Sequence, residues 1–157
     1  MSPTSQQPVE SSLVNIPALQ RRQGQDREFI YSEDIRNGVY KGQTGFFVKV
    51  RLTSYRSLPL SCIENIEISI DGKAVSREDI TFILNGYSHK VDELAKLSHI
   101  WWFILDCAEL FISRPLPLPA GEHLVDGLLV TVEPYVSGGR FTFFYPSQKR
   151  LAVAAEL

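Results

Sequence analysis

GFFVKVRLTSYRSLPLSCIENIEISIDGKAVSREDITFILN, residues 45–85, decides the fold class. In residues 46–52, Phe46, Val48, Val50 and Leu52 fall on one face of an extended chain, and Phe47, Lys49 and Arg51 on the other. Further on, Ile66, Ile68 and Ile70 alternate with Asn65, Glu67 and Ser69, and Asp71-Gly72 follows at once. Successive side chains of a strand point to opposite faces, so a period of two predicts strands with one buried face. Asp-Gly supplies the positive backbone angles of a tight hairpin turn, which predicts a two-residue reversal after Ile70.

Outward from this stretch, Asn37-Gly38, Asn85-Gly86, Ala120-Gly121 and Ser137-Gly138-Gly139 divide the chain into further short strands. The exception is VDELAKL, residues 91–97, where Asp92 is placed to cap one or two helical turns with Leu94 and Leu97 on one side. Strands at this spacing with almost no helix predict a mostly β protein. The expected architecture is an antiparallel β-sandwich of jelly-roll type with one short helix near 91–97. Residues 27–157 form one expected domain. Residues 1–26, rich in Ser, Gln and Pro, read as a flexible tail or one draped on a partner through Leu13, Val14, Ile16 and Leu19.

Two strand patterns break the alternation. HIWWFIL, residues 99–105, is apolar on both faces, and in FTFFY, residues 141–145, Phe144 interrupts the face it shares with Thr142. A strand apolar on both sides needs cover from its own chain or from another. Aromatic residues are favoured anchors between proteins, so a partner subunit is one of the two expectations.

Composition narrows the function. The 157 residues carry a net charge of −2, with 44% hydrophobic and 11% aromatic residues. There is no basic excess to hold nucleic acid or an anionic membrane. No apolar run approaches the ~20 residues of a membrane-spanning helix, and the first residues lack the pattern of a secretory leader. The expectation is a soluble, cytoplasmic protein. Cys62 and Cys107, the only cysteines, make neither a disulfide framework nor a C-x-x-C half-site, and read as reduced residues in or beside strands.

A self-contained active site is not evident. No phosphate-binding loop, nucleophile elbow, zincin motif or closely spaced Cys/His set occurs. His89, His99 and His123 lie too far apart in sequence to share a strand face as ligands, and read as surface or strand-edge histidines unless folding brings them together near Asp92 or Glu122. The pairs Glu33-Asp34, Glu78-Asp79 and Asp92-Glu93 adjoin turns, where carboxylates bond free backbone N–H groups. The expectation is therefore no catalytic residue and no metal ligand set in this chain. LTSYRSLPLSCI, residues 52–63, is different, because it gathers Tyr55, Arg56 and Pro59 in one link between strands. An aromatic, a fixed cation and a stiff residue on a rigid scaffold suit recognition of a partner. The plainer alternative is an ordinary loop whose Arg56 pairs with a carboxylate of its own domain.

These residues also carry a resemblance. Across about residues 27–150, and most clearly in YRSLPLSCIENIEISIDGKAVSREDITFILNG, DELAKL and HIWW, the sequence resembles the small β subunit of the bacterial C-glycoside deglycosidases. The resemblance implies an obligate partner, a TIM-barrel α subunit that carries the catalytic base and a divalent metal, commonly manganese. It implies that the complex cleaves the C–C bond between a 3-oxo sugar and an aromatic aglycone such as a flavonoid, by elimination, with this chain stabilising or completing the site. No catalytic residue transfers to this chain. On this reading Tyr55, Arg56 and Pro59 touch the α subunit near its active-site mouth, and Trp101 or Trp102 lies in or beneath the contact. Two other classes stand beside it: a stand-alone module binding carbohydrate or phenol on exposed tryptophans, and a metal enzyme using converged histidines.

Overall fold

The computed structural model describes residues 28–54, 56–133 and 141–154. Eleven strands run in chain order: β1 Asp34–Tyr40, β2 Gln43–Arg51, β3 Leu58–Pro59, β4 Ile63–Ile70, β5 Lys73–Ala74, β6 Ile80–Leu84, β7 Tyr87–Lys90, β8 Trp101–Trp102, β9 Cys107–Ser113, β10 Gly121–Glu133 and β11 Phe141–Val153. Nine of them form one curled sheet in the order β5-β4-β10-β11-β1-β2-β9-β6-β7, and β3 pairs with β8 in a separate two-stranded unit. The two expected layers are thus halves of one sheet. β1 joins them, antiparallel to β2 but parallel to β11, the single departure from antiparallel pairing among these strands.

The alternation of β2 and β4 is realised in the core. Phe46, Val48, Val50 and Leu52 are buried on one side, and Ile66, Ile68 and Ile70 face them from the other half of the sheet within one apolar cluster. Val125, Leu129, Tyr145 and Leu151 of β10 and β11 complete that half, and Phe82, Leu110 and Ile112 of β6 and β9 the other. Phe29 and Ile30 lie between the halves. Ile30 bridges to Val50, and its N–H donates to the Ser147 hydroxyl. Gly127 lies beneath this crossing, where a Cβ would stand 2.9 Å from the Ile30 Cδ1 and the Ile30 side chain would have to shift.

Two of the expected turns form as read. Asp71 and Gly72 have φ of 51° and 84°, and Asn85 and Gly86 have 52° and 87°, the left-handed pair that a two-residue hairpin requires. Asn37-Gly38 is not a turn. Both residues lie inside β1, and the reversal falls at Lys41-Gly42, with φ of 49° and 83°. The Asn37 side chain instead makes two hydrogen bonds to the backbone of Leu118, at 3.0 and 3.1 Å. Ser137-Gly138-Gly139 and the 1–26 tail lie outside the described residues.

The helical segment is a 3-10 turn, Val91–Lys96, and its cap is not Asp92. Glu93 accepts the Lys90 N–H at 2.8 Å, whereas Asp92 pairs with Arg77. With three residues per turn, Leu94 and Leu97 do share a side: Leu94 is fully buried and Leu97 packs on the core. Phe47, expected on the polar face of β2, is covered there by Phe111 at 4.9 Å and by the Arg36 guanidinium at 4.1 Å.

Candidate partner-facing site

The loop after β2 and the tryptophan segment, far apart in sequence, meet in the β3–β8 unit, where Leu58 is opposite Trp102 and Pro59 opposite Trp101. Bonds on either side hold the pairing: Leu60 N–H donates to Ile100 O at 2.8 Å, and Ile104 N–H to the Ser57 hydroxyl at 2.8 Å. Pro59 brings no N–H to the ladder, and after Trp102 the chain turns, with Asp106 N–H donating to Phe103 O. The strand expected over residues 99–105 is therefore two residues long.

Alternation sorts the aromatics. Trp102 points inward with no exposed surface, packs on Phe82 with ring centres 5.0 Å apart, and donates its indole N–H to Asp106 O. It is a core residue, and any part it has in recognition is as support beneath the strand. Trp101 and Phe103 point outward, 39% and 55% exposed, with rings offset-stacked at 6.5 Å. Leu105 beside them is 85% exposed. Such a cluster of large apolar side chains at one surface is what a protein interface core presents. Arg56 is exposed on the adjoining loop, its N–H 3.4 Å from the Ser54 hydroxyl. Tyr55 lies outside the described residues.

The histidines do not converge. His89 is on β7 and His99 precedes β8, while His123 is buried on β10. Among the described residues no group of three or more His, Cys, Asp or Glu side chains is placed to hold a metal ion. Cys62 is buried and Cys107 exposed.

His123, expected at the surface or a strand edge, is buried. Its Nδ1 lies 2.7 Å from an Asp71 carboxylate oxygen and its Nε2 2.8 Å from Pro119 O. Both partners only accept, so only the imidazolium donates to both. The Pro119 carbonyl and then the Asp71 carboxylate raise the pKa of His123 above the ordinary imidazole value, against the effect of burial. The His123 ring and the Leu124 N–H hold the Asp71 carboxyl below the ordinary carboxylate range.

A second buried polar group sits on the same inner face of β10. Glu133 accepts from Thr131 at 2.8 Å and from the Tyr145 hydroxyl, while its other oxygen has no partner among the described residues. Glu133 was not singled out from the sequence and His123 was expected at the surface or a strand edge, yet the period of β10 holds the signal: His123, Val125, Gly127, Leu129, Thr131 and Glu133 fall on one face.

The β3–β8 unit lies within the stretch that matches a known family. A profile described as C-glycoside deglycosidase beta subunit matches residues 25–135. The chain belongs to this family. A C-glycoside deglycosidase beta subunit of Microbacterium trichothecenolyticum is 37% identical over 89 residues, 57% of this chain and 67% of the relative. The 3'-dehydrocarminate deglycosidase beta subunit of a Microbacterium species is 30% identical over 121 residues, 76% of this chain and 91% of the relative. A C-glycoside deglycosidase beta subunit of Eubacterium cellulosolvens is 32% identical over 91 residues, 57% of this chain and 60% of the relative. A family described as beta subunits is one of parts within heteromeric enzymes. Among the described residues no helix is long and apolar enough to cross a membrane.

Proposed function

We propose that this chain is the non-catalytic subunit of a heteromeric C-glycoside deglycosidase and docks on a TIM-barrel α subunit through the β3–β8 unit. The observation that carries the reading is the outward cluster of Trp101, Phe103 and Leu105. Rigid aromatic rings with little entropy left to lose are efficient anchors; Pro59 pairs with Trp101 in the same unit, and Arg56 lies on the loop leading into it. The reading places Arg56, Pro59 and Tyr55 at the rim of the partner's active-site mouth. Any divalent metal, manganese on this reading, belongs to the partner, and a sequence with only two cysteines suits a cytoplasmic complex.

The chemistry of the complex follows from the bond. A C–C glycosidic link has no leaving oxygen to protonate, so the two-carboxylate route of ordinary glycosidases is closed. A ketone at sugar C3 makes the C2 proton acidic and sets the aryl carbon on C1 β to the carbonyl. A base of the partner takes the C2 proton, the C1–aryl bond breaks, and the aryl carbon gains a proton. The products are an unsaturated 3-keto sugar and the free phenolic aglycone, with flavonoids among those expected.

Size-exclusion chromatography of this chain co-expressed with its α subunit tests the docking. Co-elution as one complex is the expected result. Two chains that elute separately at micromolar concentration would overturn it.

A further inference from the structure

At the far end of β4 and β9 from the tryptophan cluster, a cleft of about 540 Å³ opens between the two halves of the sheet. Its floor is apolar: Phe46, Ile70, Ile112 and Leu118, all buried. Its polar lining is divided unequally. The two carboxylates are engaged by the protein itself, Asp71 by His123 and the Leu124 N–H, Asp79 by the Ser113 hydroxyl. The two fixed cations are not: the Arg114 guanidinium and the Lys73 ammonium make no hydrogen bond or ion pair among the described residues.

We propose that this cleft is a binding site for a small aromatic carboxylate, with its ring on the apolar floor and its charge met by Arg114 and Lys73. Volume and lining suit a ligand of two fused rings, since sites for small molecules are mostly apolar, of ~300–1,000 Å³, with a few converging polar groups. The planar guanidinium fork matches a carboxylate in two parallel bonds. An uncharged ring would leave both cations unused, and an inorganic anion would leave the floor wet. β4 spans roughly 25 Å at ~3.3 Å per residue, so the cleft stays open while a partner occupies the tryptophan end. The inference stands independently of the subunit reading.

The test is calorimetric titration of the full chain with 2-naphthoate and, in parallel, with uncharged 2-naphthylmethanol. The expected result is saturable 1:1 binding of the acid, at least ten times tighter than that of the alcohol. In a Lys73→Gln/Arg114→Gln double variant with an unchanged melting temperature, that preference falls at least ten-fold. Ala74→Trp, which fills the cleft from its rim, abolishes binding of both compounds. Methyl NMR shifts on naphthoate addition fall on Ile70, Ile112 and Leu118. No binding at millimolar acid, equal affinity for acid and alcohol, an unaffected double variant, or shifts confined to the Trp101 end would each overturn the proposal.

Discussion

Adjacent tryptophans with opposite burial give the sharpest prediction. Trp101 is 39% exposed, and a side chain of up to ~250 Å² therefore has about 100 Å² left to bury. At ~25 cal/mol per Å² that surface contributes about 2.5 kcal/mol when a partner covers it, roughly a 60-fold effect on Kd. Trp101→Ala should weaken association with the α subunit by that order while leaving the melting curve of this chain nearly in place. Trp102 has no exposed surface and fills the space against Phe82. Its truncation should cost about 3–5 kcal/mol of folding stability, a fall of roughly 10 °C in melting temperature for a domain of this size. The assay is titration of the α subunit by interferometry, paired with thermal denaturation of the isolated variants. Wild-type affinity in Trp101→Ala, or equal loss of stability in the two variants, would refute the reasoning.

Three further outcomes follow from the fold. The Asp71–His123 pair has a pH window: His123, its pKa raised, contributes fully below about 6.5 and loses that contribution as pH rises through its folded value. Asp71, its pKa lowered, contributes above about 3.8 and loses that contribution as pH falls through its folded value. Asp71→Asn keeps a turn residue suited to φ of 51° and removes the charge, so its drop in melting temperature should be largest between pH 4 and 6.5 and shrink by pH 9. Gly45→Ala would set a Cβ 2.2 Å from Ile112 O, where β2 pairs with β9, and urea unfolding should show a loss of about 1–3 kcal/mol. Asn37→Ala removes both bonds to Leu118, and should cost about 1–3 kcal/mol in the same assay.

The strands were legible wherever one face is buried and the other wet, as in β2 and β4, because a period of two leaves little freedom of register. Asp71-Gly72 and Asn85-Gly86 were legible because few residues other than Gly, Asn and Asp tolerate positive φ. Asn37-Gly38 misled for the same reason: its composition is that of a turn, but the polar side chain is spent on Leu118, 81 residues away in sequence. HIWWFIL looked like a full strand because apolar runs carry no mark of where pairing stops. The limit is set by Pro59 and by the short partner strand it belongs to. The candidate site was half legible. Residue types singled out the Tyr55–Pro59 loop and the tryptophans, but only the fold brings them together and sorts Trp101 outward from Trp102 inward. His123 and Asp71, 52 residues apart, were joined by strand register alone.

The most direct test of the subunit reading is aglycone release from a 3-oxo C-glycoside, measured with this chain alone, the α subunit alone, and the two mixed at equal concentration. Free aglycone should appear at an appreciable rate only in the mixture. Release by this chain alone, or a rate from the α subunit that this chain does not change, would contradict it.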